Sequence, residues 1–161
     1  MKRLVNIHKQ ELVVKTAEEL KNLREITPPD WSVYVKTGAH KQRPPVKADW
    51  WHTRSASVLI KVMEVGPVGI EKLRVKYGGK KRRGHQPPEF RKASGNILRK
   101  IIQQLEKAGL VKTNDPKGRK GRIITTKGLK LITAASKTIG KTATEAKPKV
   151  VEPKADAKKE N

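Results

Sequence analysis

The chain contains no cysteine among its 161 residues, so it can form neither a disulfide bond nor a metal site built on thiolates. Only 4% of the residues are aromatic. There is no run of about 18 apolar residues, so no transmembrane helix is predicted. The first six residues have too few apolar side chains for a secretion signal. These absences are typical of a cytosolic protein.

Acidic residues are also scarce. The sequence has 15 Asp and Glu against 38 Lys and Arg, which gives a net charge of +23. Such an excess predicts a polyanionic partner, because binding neutralises the charge and releases counterions. Nucleic acid fits this requirement. A membrane surface does not, because no long amphipathic helix combines a basic face with aromatic side chains.

The residue sets that catalysis requires are missing. The chain has four histidines: His8, His40, His52 and His85. They show no metal-ligand spacing, and none accompanies an obvious nucleophile. The glycine pair at 78–79 lacks the spacing of a phosphate-binding loop. The sequence therefore predicts no enzyme, no cofactor and no metal.

Charge is unevenly distributed along the chain. Residues 7–26 hold four basic and four acidic side chains, whereas residues 72–92 hold nine basic and one acidic, and residues 112–130 hold seven basic and one acidic. A domain that needed charge only for solubility would mix the two signs. We therefore expect one basic face and one more neutral face.

Apolar periodicity and helix-breaking residues predict a mostly α-helical, winged-helix-like bundle around a central amphipathic helix, with one small basic β-hairpin. Helices are predicted over residues 7–26, 50–65, 68–77, 95–108 and 126–139, a turn of helix over 31–36, a long basic loop to about 91, and strands over 110–113 and 122–125. Residues 1–140 form one predicted domain. The tail 141–161, rich in Lys, Ala, Glu and Pro, is predicted to be disordered.

The strongest local signal is the stretch 77–85, where two glycines precede four consecutive cations. Glycine lets the backbone approach a ligand closely, and Arg and Lys side chains bind phosphates. The alternative is a solvated run of charge, but the position between two predicted helices favours RNA contact. The predicted hairpin tip at 117–122 alternates cations with glycines. Its alternatives are RNA contact and an exposed, disordered turn.

A third candidate region precedes and begins the central helix. Cations at 36–43 come shortly before Trp50, Trp51 and Arg54, and aromatic and guanidinium planes stack on unpaired bases. Trp51 lies on the predicted core face, so packing explains it. Trp50 lies off that face, which leaves a surface role open, and Arg54 fits either RNA contact or a structural ion pair.

Several of these stretches together resemble one family, the archaeal and eukaryotic small-subunit ribosomal protein nineteen family. The similarity covers roughly residues 4–139. The residues that carry it are 36–45 (KTGAHKQRPP), 49–57 (DWWHTRSAS), 66–70 (GPVGI), 77–80 (YGGK), 105–111 (LEKAGLV), 121–122 (GR) and 126–128 (TKG).

The resemblance implies a winged-helix-like fold, a place in the head of the small subunit, and contact there with ribosomal RNA and neighbouring proteins. In eukaryotic members it also implies a part in maturation of the small-subunit RNA. It places the main RNA-binding surface on the helix that begins Trp50-Trp51 with Arg54, and on the loop 79–83. Members commonly have Arg where this chain has Ile60, which weakens any role for position 60 in binding RNA.

The expected partners are therefore ribosomal RNA and neighbouring ribosomal proteins, without a membrane and without obligate homo-oligomerisation. The candidate RNA-binding residues are Lys36, His40, Lys41, Arg43, Trp50, Arg54, Lys61, Gly79, Lys80, Lys81, Arg82, Arg83, His85, Arg91, Lys92, Arg99, Lys117, Arg119, Lys120 and Arg122. One alternative is a winged-helix DNA-binding regulator, which would place one helix in a major groove. Another is an assembly factor that leaves before translation.

Overall fold

The computed structural model describes residues 8–114 and 120–145, which form five α-helices and two β-hairpins. Helix α2, Trp50–Val65, lies at the centre, as predicted. Seven of its side chains are buried because apolar and small residues recur at helical spacing: Trp51, Ser55, Ala56, Val58, Leu59, Ile60 and Val62. Gly66 ends the helix in a conformation with φ of 75°, which favours glycine.

Helix α1, Lys9–Lys21, packs against α2 and against the last helix. It ends five residues before the predicted boundary at 26. The amides of Leu23 and Ile26 donate to carbonyl oxygens three residues earlier, so the chain continues in tight turns rather than as an α-helix. The completely buried Ile26 explains this change of direction, because the turns bring it into the core. A single 3-10 turn, Asp30–Val33, follows.

Helices α3 (Ile70–Lys76) and α4 (Gly95–Lys107) complete the helical part of the winged-helix unit. The Nε1 of Trp51 donates to the Gln104 side-chain oxygen at 2.9 Å and so joins α2 to α4. Gln104 in turn donates to the carbonyl oxygen of Thr27 at 2.6 Å. The expectation that Trp51 packs in the core is confirmed, since none of its surface is exposed.

Strands β3 (Val111–Asn114) and β4 (Gly121–Ile124) form the predicted antiparallel hairpin. A bridge between Val68 and Arg122 ties β4 to the connection between α2 and α3. The order of helices α2, α3 and α4 followed by this hairpin is that of a winged helix, so the predicted fold class is confirmed.

The prediction of only one hairpin, with a basic loop after residue 78, is wrong. Residues Gly79–Arg83 and Gln86–Arg91 form strands β1 and β2, paired antiparallel, with a turn at 84–85. Gly84, with φ of 70°, supplies the left-handed conformation that a two-residue hairpin turn needs. The sequence did not predict these strands because their side chains are mostly charged and Pro87-Pro88 lies among them. Proline is tolerated in edge strands, and both strands of this two-stranded sheet are edges.

Helix α5, Thr126–Glu145, extends beyond the predicted end at 139. Glycine inside a helix costs only about 1 kcal/mol, so Gly140 does not stop it. At Gly128 the absence of a side chain is required, because an added Cβ would lie 2.5 Å from the carbonyl oxygen of Leu110. Residues 141–145 of the predicted tail are helical and not disordered. The rest of the tail, 146–161, lies outside the described residues, so its predicted disorder and the domain boundary stay predictions.

Candidate nucleic-acid interface

A cleft of about 1060 Å³ lies between α1, the loop before α2, and α2 itself. The structure brings five of the predicted site residues together in its lining: Lys41, Arg43, Trp50, Arg54 and Lys61. The remaining lining is largely apolar and includes Val14, Pro44, Val46 and Ile60. The cleft therefore combines apolar walls with positive charge, and the charge suits the backbone of a nucleic-acid strand.

Arg54 is half-buried in this cleft. Its guanidinium carbon lies 4.5 Å from the centre of the Tyr77 ring, and the Tyr77 hydroxyl lies 2.7 Å from Ser57 Oγ. Burial lowers the pKa of Arg54, but an arginine stays charged at any physiological pH. Within the described chain no carboxylate forms an ion pair with it, so the structural ion pair considered from the sequence is not found there.

The rim of the cleft is positively charged, but its cations differ in how they are compensated. Lys61 donates to Glu64 at 2.9 Å, and this bond raises the pKa of Lys61. Glu64 also pairs with Lys9. Lys41 and Arg43 are exposed, and no carboxylate of the described segments pairs with either. These two side chains are therefore free to meet phosphates.

His40 has a structural position that the sequence did not predict. A Cβ added at Gly79 would lie 3.0 Å from its ring, so the ring packs against the first residue of β1. Burial, followed by the charges of Lys41 and Arg54, lowers the pKa of His40. Its Nδ1 is buried without a hydrogen-bond partner. His40 thus lies at the base of the first hairpin, immediately before Lys41 of the cleft, and its contact with RNA stays a prediction.

The β1–β2 hairpin carries the longest run of cations in the described residues. Arg83 and Arg91 both pair with Glu89, at 3.2 and 2.9 Å, and the Arg83 guanidinium also donates to the carbonyl oxygen of Pro87. The rest of the run, Lys80, Lys81 and Arg82, is exposed and forms no ion pair with any described carboxylate. His85 is exposed in the turn.

The other candidates lie outside these two regions. Arg122 in β4 pairs with Glu106 at 3.0 Å, and Lys92 pairs with Glu71 at 3.2 Å. Lys36 and Lys92 line a second, smaller cavity. Lys120 precedes β4 and Arg99 lies on α4, both with exposed side chains. The two remaining candidates, Lys117 and Arg119, lie outside the described residues.

Two residues of this surface were not predicted from the sequence. Tyr77 holds Arg54 in the cleft, and Phe90 is half-exposed on β2. Tyr77 follows a basic helix and gave no periodic signal. Phe90 did offer a signal in the composition, because it is the only phenylalanine of the chain and stands between charged residues.

No group of three or more His, Cys, Asp or Glu is placed to hold a metal ion in residues 8–114 and 120–145. None of the helices described there is both long and apolar enough to cross a membrane. The cationic cleft and hairpin are therefore the features that a function must explain.

Comparison with known proteins gives a consistent result. A family model described as ribosomal protein S19e matches residues 3–142. Small ribosomal subunit protein eS19 of Aeropyrum pernix is 43% identical over 141 residues, which cover 86% of this chain and 90% of that protein. The protein of the same name from Oryza sativa subsp. japonica is 39% identical and covers 76% of this chain and 82% of its own length.

These similarities extend over the winged-helix unit, the cleft and both hairpins. The matched segment begins before α1 and ends within α5. Proteins of this family are ribosomal proteins and not enzymes, which agrees with the composition of the chain. The chain belongs to the ribosomal protein S19e family.

Proposed function

We propose that this protein is a structural constituent of the small ribosomal subunit in the cytoplasm and that it binds ribosomal RNA with a backbone phosphate in the cleft at Arg54. The observation that carries this proposal is the half-buried guanidinium, which has no carboxylate partner among the described residues. A buried charge is stable only when it is compensated, and a guanidinium binds phosphate oxygens through two parallel hydrogen bonds.

The surroundings of Arg54 support RNA as the source of that phosphate. Lys41 and Arg43 stand at the rim, where they would meet neighbouring phosphates of the same strand. Trp50 offers part of its ring to the cleft, although its other contacts are with the buried Trp51, 5.3 Å away between ring centres. A folded RNA backbone beside an unpaired base fits this combination.

The more neutral side of the molecule supports a second kind of partner. Helix α1 exposes three carboxylates, those of Glu11, Glu18 and Glu19. These carboxylates balance the three lysines of α1, so the helix carries no net charge, and its side away from the cleft fits neighbouring ribosomal proteins better than RNA. We place the protein in the head of the small subunit, as the family resemblance implies, and assign it a role in small-subunit assembly and RNA maturation.

The first experiment measures the affinity of the full-length protein for small-subunit ribosomal RNA as a function of salt. The variant Arg54→Gln should bind about tenfold more weakly, because a charge-assisted contact with phosphate is lost. Arg24→Gln is the matched control, since Arg24 is exposed and does not line the cleft. Circular dichroism would verify that both variants fold. Unchanged affinity in Arg54→Gln would refute the phosphate site.

The second experiment tests whether the protein is a permanent part of the ribosome, rather than which residues bind RNA. A cell extract is sedimented through a sucrose gradient and each fraction is probed for the protein. It should travel with small subunits and with translating ribosomes. Presence only with free small subunits would indicate an assembly factor that leaves before translation. Presence only with chromosomal DNA would indicate the DNA-binding regulator instead. Either outcome contradicts the proposal of a permanent constituent.

A further inference from the structure

The β1–β2 hairpin has two chemically different faces. Side chains of a strand alternate between faces, and directly paired residues share a face. Phe90 pairs with Lys80, whereas Glu89 pairs with Lys81. Phe90 and Lys80 therefore share one face of the hairpin. The pairing register shifts between Lys81 and Arg83, but Arg83 pairs with Glu89 and so faces the Glu89 side, which leaves Arg82 on the side of Phe90. Glu89 lies on the other face.

The cations on the face that holds Glu89 are partly compensated within the hairpin, although Lys81 on that face has no ion pair among the described residues. Glu89 pairs with Arg83 across the two strands and with Arg91 on its own strand. On the Phe90 face, Lys80 and Arg82 have no carboxylate partner within the described residues. The hairpin thus uses its one carboxylate on the side of Glu89, and on the side of Phe90 both cations are left without a carboxylate partner among the described residues.

Phe90 is held in place although half of it is exposed. Its relative exposure is 50%, and one edge of its ring rests on the backbone of Gly78. A Cβ added at Gly78 would lie 2.6 Å from that ring, so only glycine leaves room for it. The rest of the ring remains a fixed, flat apolar surface beside two cations.

We propose that this face binds an unpaired nucleotide of RNA, with its base stacked on Phe90 and its phosphates contacted by Lys80 and Arg82. A flat ring flanked by cations matches a base flanked by phosphates, and stacking does not require a particular base. This inference rests on the proposed function, because it assigns a second contact on the same RNA-binding surface. His40 packs on Gly79 at the base of the hairpin and directly precedes Lys41, which lines the cleft.

The experiment uses the full-length protein and a short single-stranded RNA that contains 2-aminopurine, whose fluorescence falls when the base stacks. The wild type should quench the fluorescence. Phe90→Leu, which keeps an apolar side chain, should bind about tenfold more weakly and should not quench, because the aromatic surface is lost. Phe90→Tyr should restore both properties. Thermal unfolding of each variant verifies that the hairpin change leaves the fold intact.

A duplex RNA of the same sequence is the matched control probe, because its bases are already stacked. Phe90→Leu should bind the duplex as the wild type does, whereas Arg54→Gln should bind both probes more weakly. If Phe90→Leu still quenches the single-stranded probe with wild-type affinity, the stacking site is wrong. The cleft proposal would then still stand on the result for Arg54→Gln, so the two failures are distinguishable.

Discussion

The two β-hairpins of this protein are both rich in cations but differ in their relation to the core. In β3–β4, Val111 is buried with 2% of its surface exposed, and Arg122 is paired with Glu106. In β1–β2, every side chain outside Gly79 is exposed. One hairpin is part of the packed domain and the other projects from it.

This difference shows that the number of cations alone does not identify a binding surface. A cation that has a carboxylate partner within the fold contributes to the structure, and binding RNA would break that pair. A cation without one contributes little to stability and is available to phosphates. The predicted site residues divide on this criterion. The paired group is Lys61, Arg83, Arg91, Lys92 and Arg122.

The largest expected effect tests whether the two hairpins differ in how much they contribute to the packed core. Leu110, which leads into β3, is completely buried. Leu110→Ala should lower the free energy of unfolding by about 2–5 kcal/mol, because it removes buried methyl groups and leaves a cavity. Phe90→Ala on β2 should cost about 1 kcal/mol or less, since half of that ring is already in water.

Denaturant unfolding of both variants measures this contrast. The free energy of unfolding must be measured for both variants, because each hairpin serves as the control for the other. If Phe90→Ala were as destabilising as Leu110→Ala, the β1–β2 hairpin would belong to the core, and its exposure would have no functional meaning.

A smaller effect tests the charge side of the comparison. Log affinity falls as log salt rises. Replacing Lys80, Lys81 and Arg82 by Gln should reduce the magnitude of that slope by about 2, because each phosphate contact contributes roughly 0.7–0.9. Arg122→Gln should leave that slope unchanged and cost up to about 1 kcal/mol of stability through the lost pair with Glu106.

Equilibrium binding to small-subunit ribosomal RNA at several salt concentrations measures the slopes. Exposed loop charges add little to stability, so the triple variant should unfold at the wild-type temperature. A larger loss of slope in Arg122→Gln than in the triple variant would reverse the assignment of the two hairpins.

The smallest expected effect is a difference between the two hairpins in how their stability depends on pH. The folded state holds the pKa of His40 below its ordinary value, so below about pH 6.5 the unfolded chain binds more protons than the folded chain. Stability is therefore fully present above that pH and declines as pH falls through it. His40 packs at the base of β1–β2, so amide exchange in that hairpin should rise more than in β3–β4.

His40→Gln should weaken this pH dependence without removing it, because burial also lowers the pKa of His52. Hydrogen exchange at about pH 7.5 and about pH 5.5, corrected for intrinsic rates, measures the effect. Equal acceleration in both hairpins would show that His40 does not control the attachment of β1–β2.

The sequence predicted the helical core well because its signals are local. The apolar spacing in α2 and α4 defined both helices to within about one residue at each end. The early end of α1 was missed because it depends on Ile26, whose burial is a tertiary contact. The strands of β1–β2 were missed because charged residues and prolines replace the usual alternation of apolar and polar side chains.

The candidate site was predicted in composition but not in arrangement. The run of cations at 80–83 was evident, but the partners that divide it into paired and free members were not. Arg83 and Arg82 are adjacent and chemically identical, yet only Arg83 pairs with Glu89. That distinction depends on which side of a strand each residue faces, and on a strand that the sequence did not reveal.

The two prolines opposite Arg82 also bear on solubility. A strand edge with free backbone N–H groups can recruit another chain, and a projecting two-stranded ribbon has two such edges. Pro87 and Pro88 have no N–H, and the pairing register shifts where they occur. The β2 edge of the hairpin can therefore remain exposed without becoming a template for aggregation.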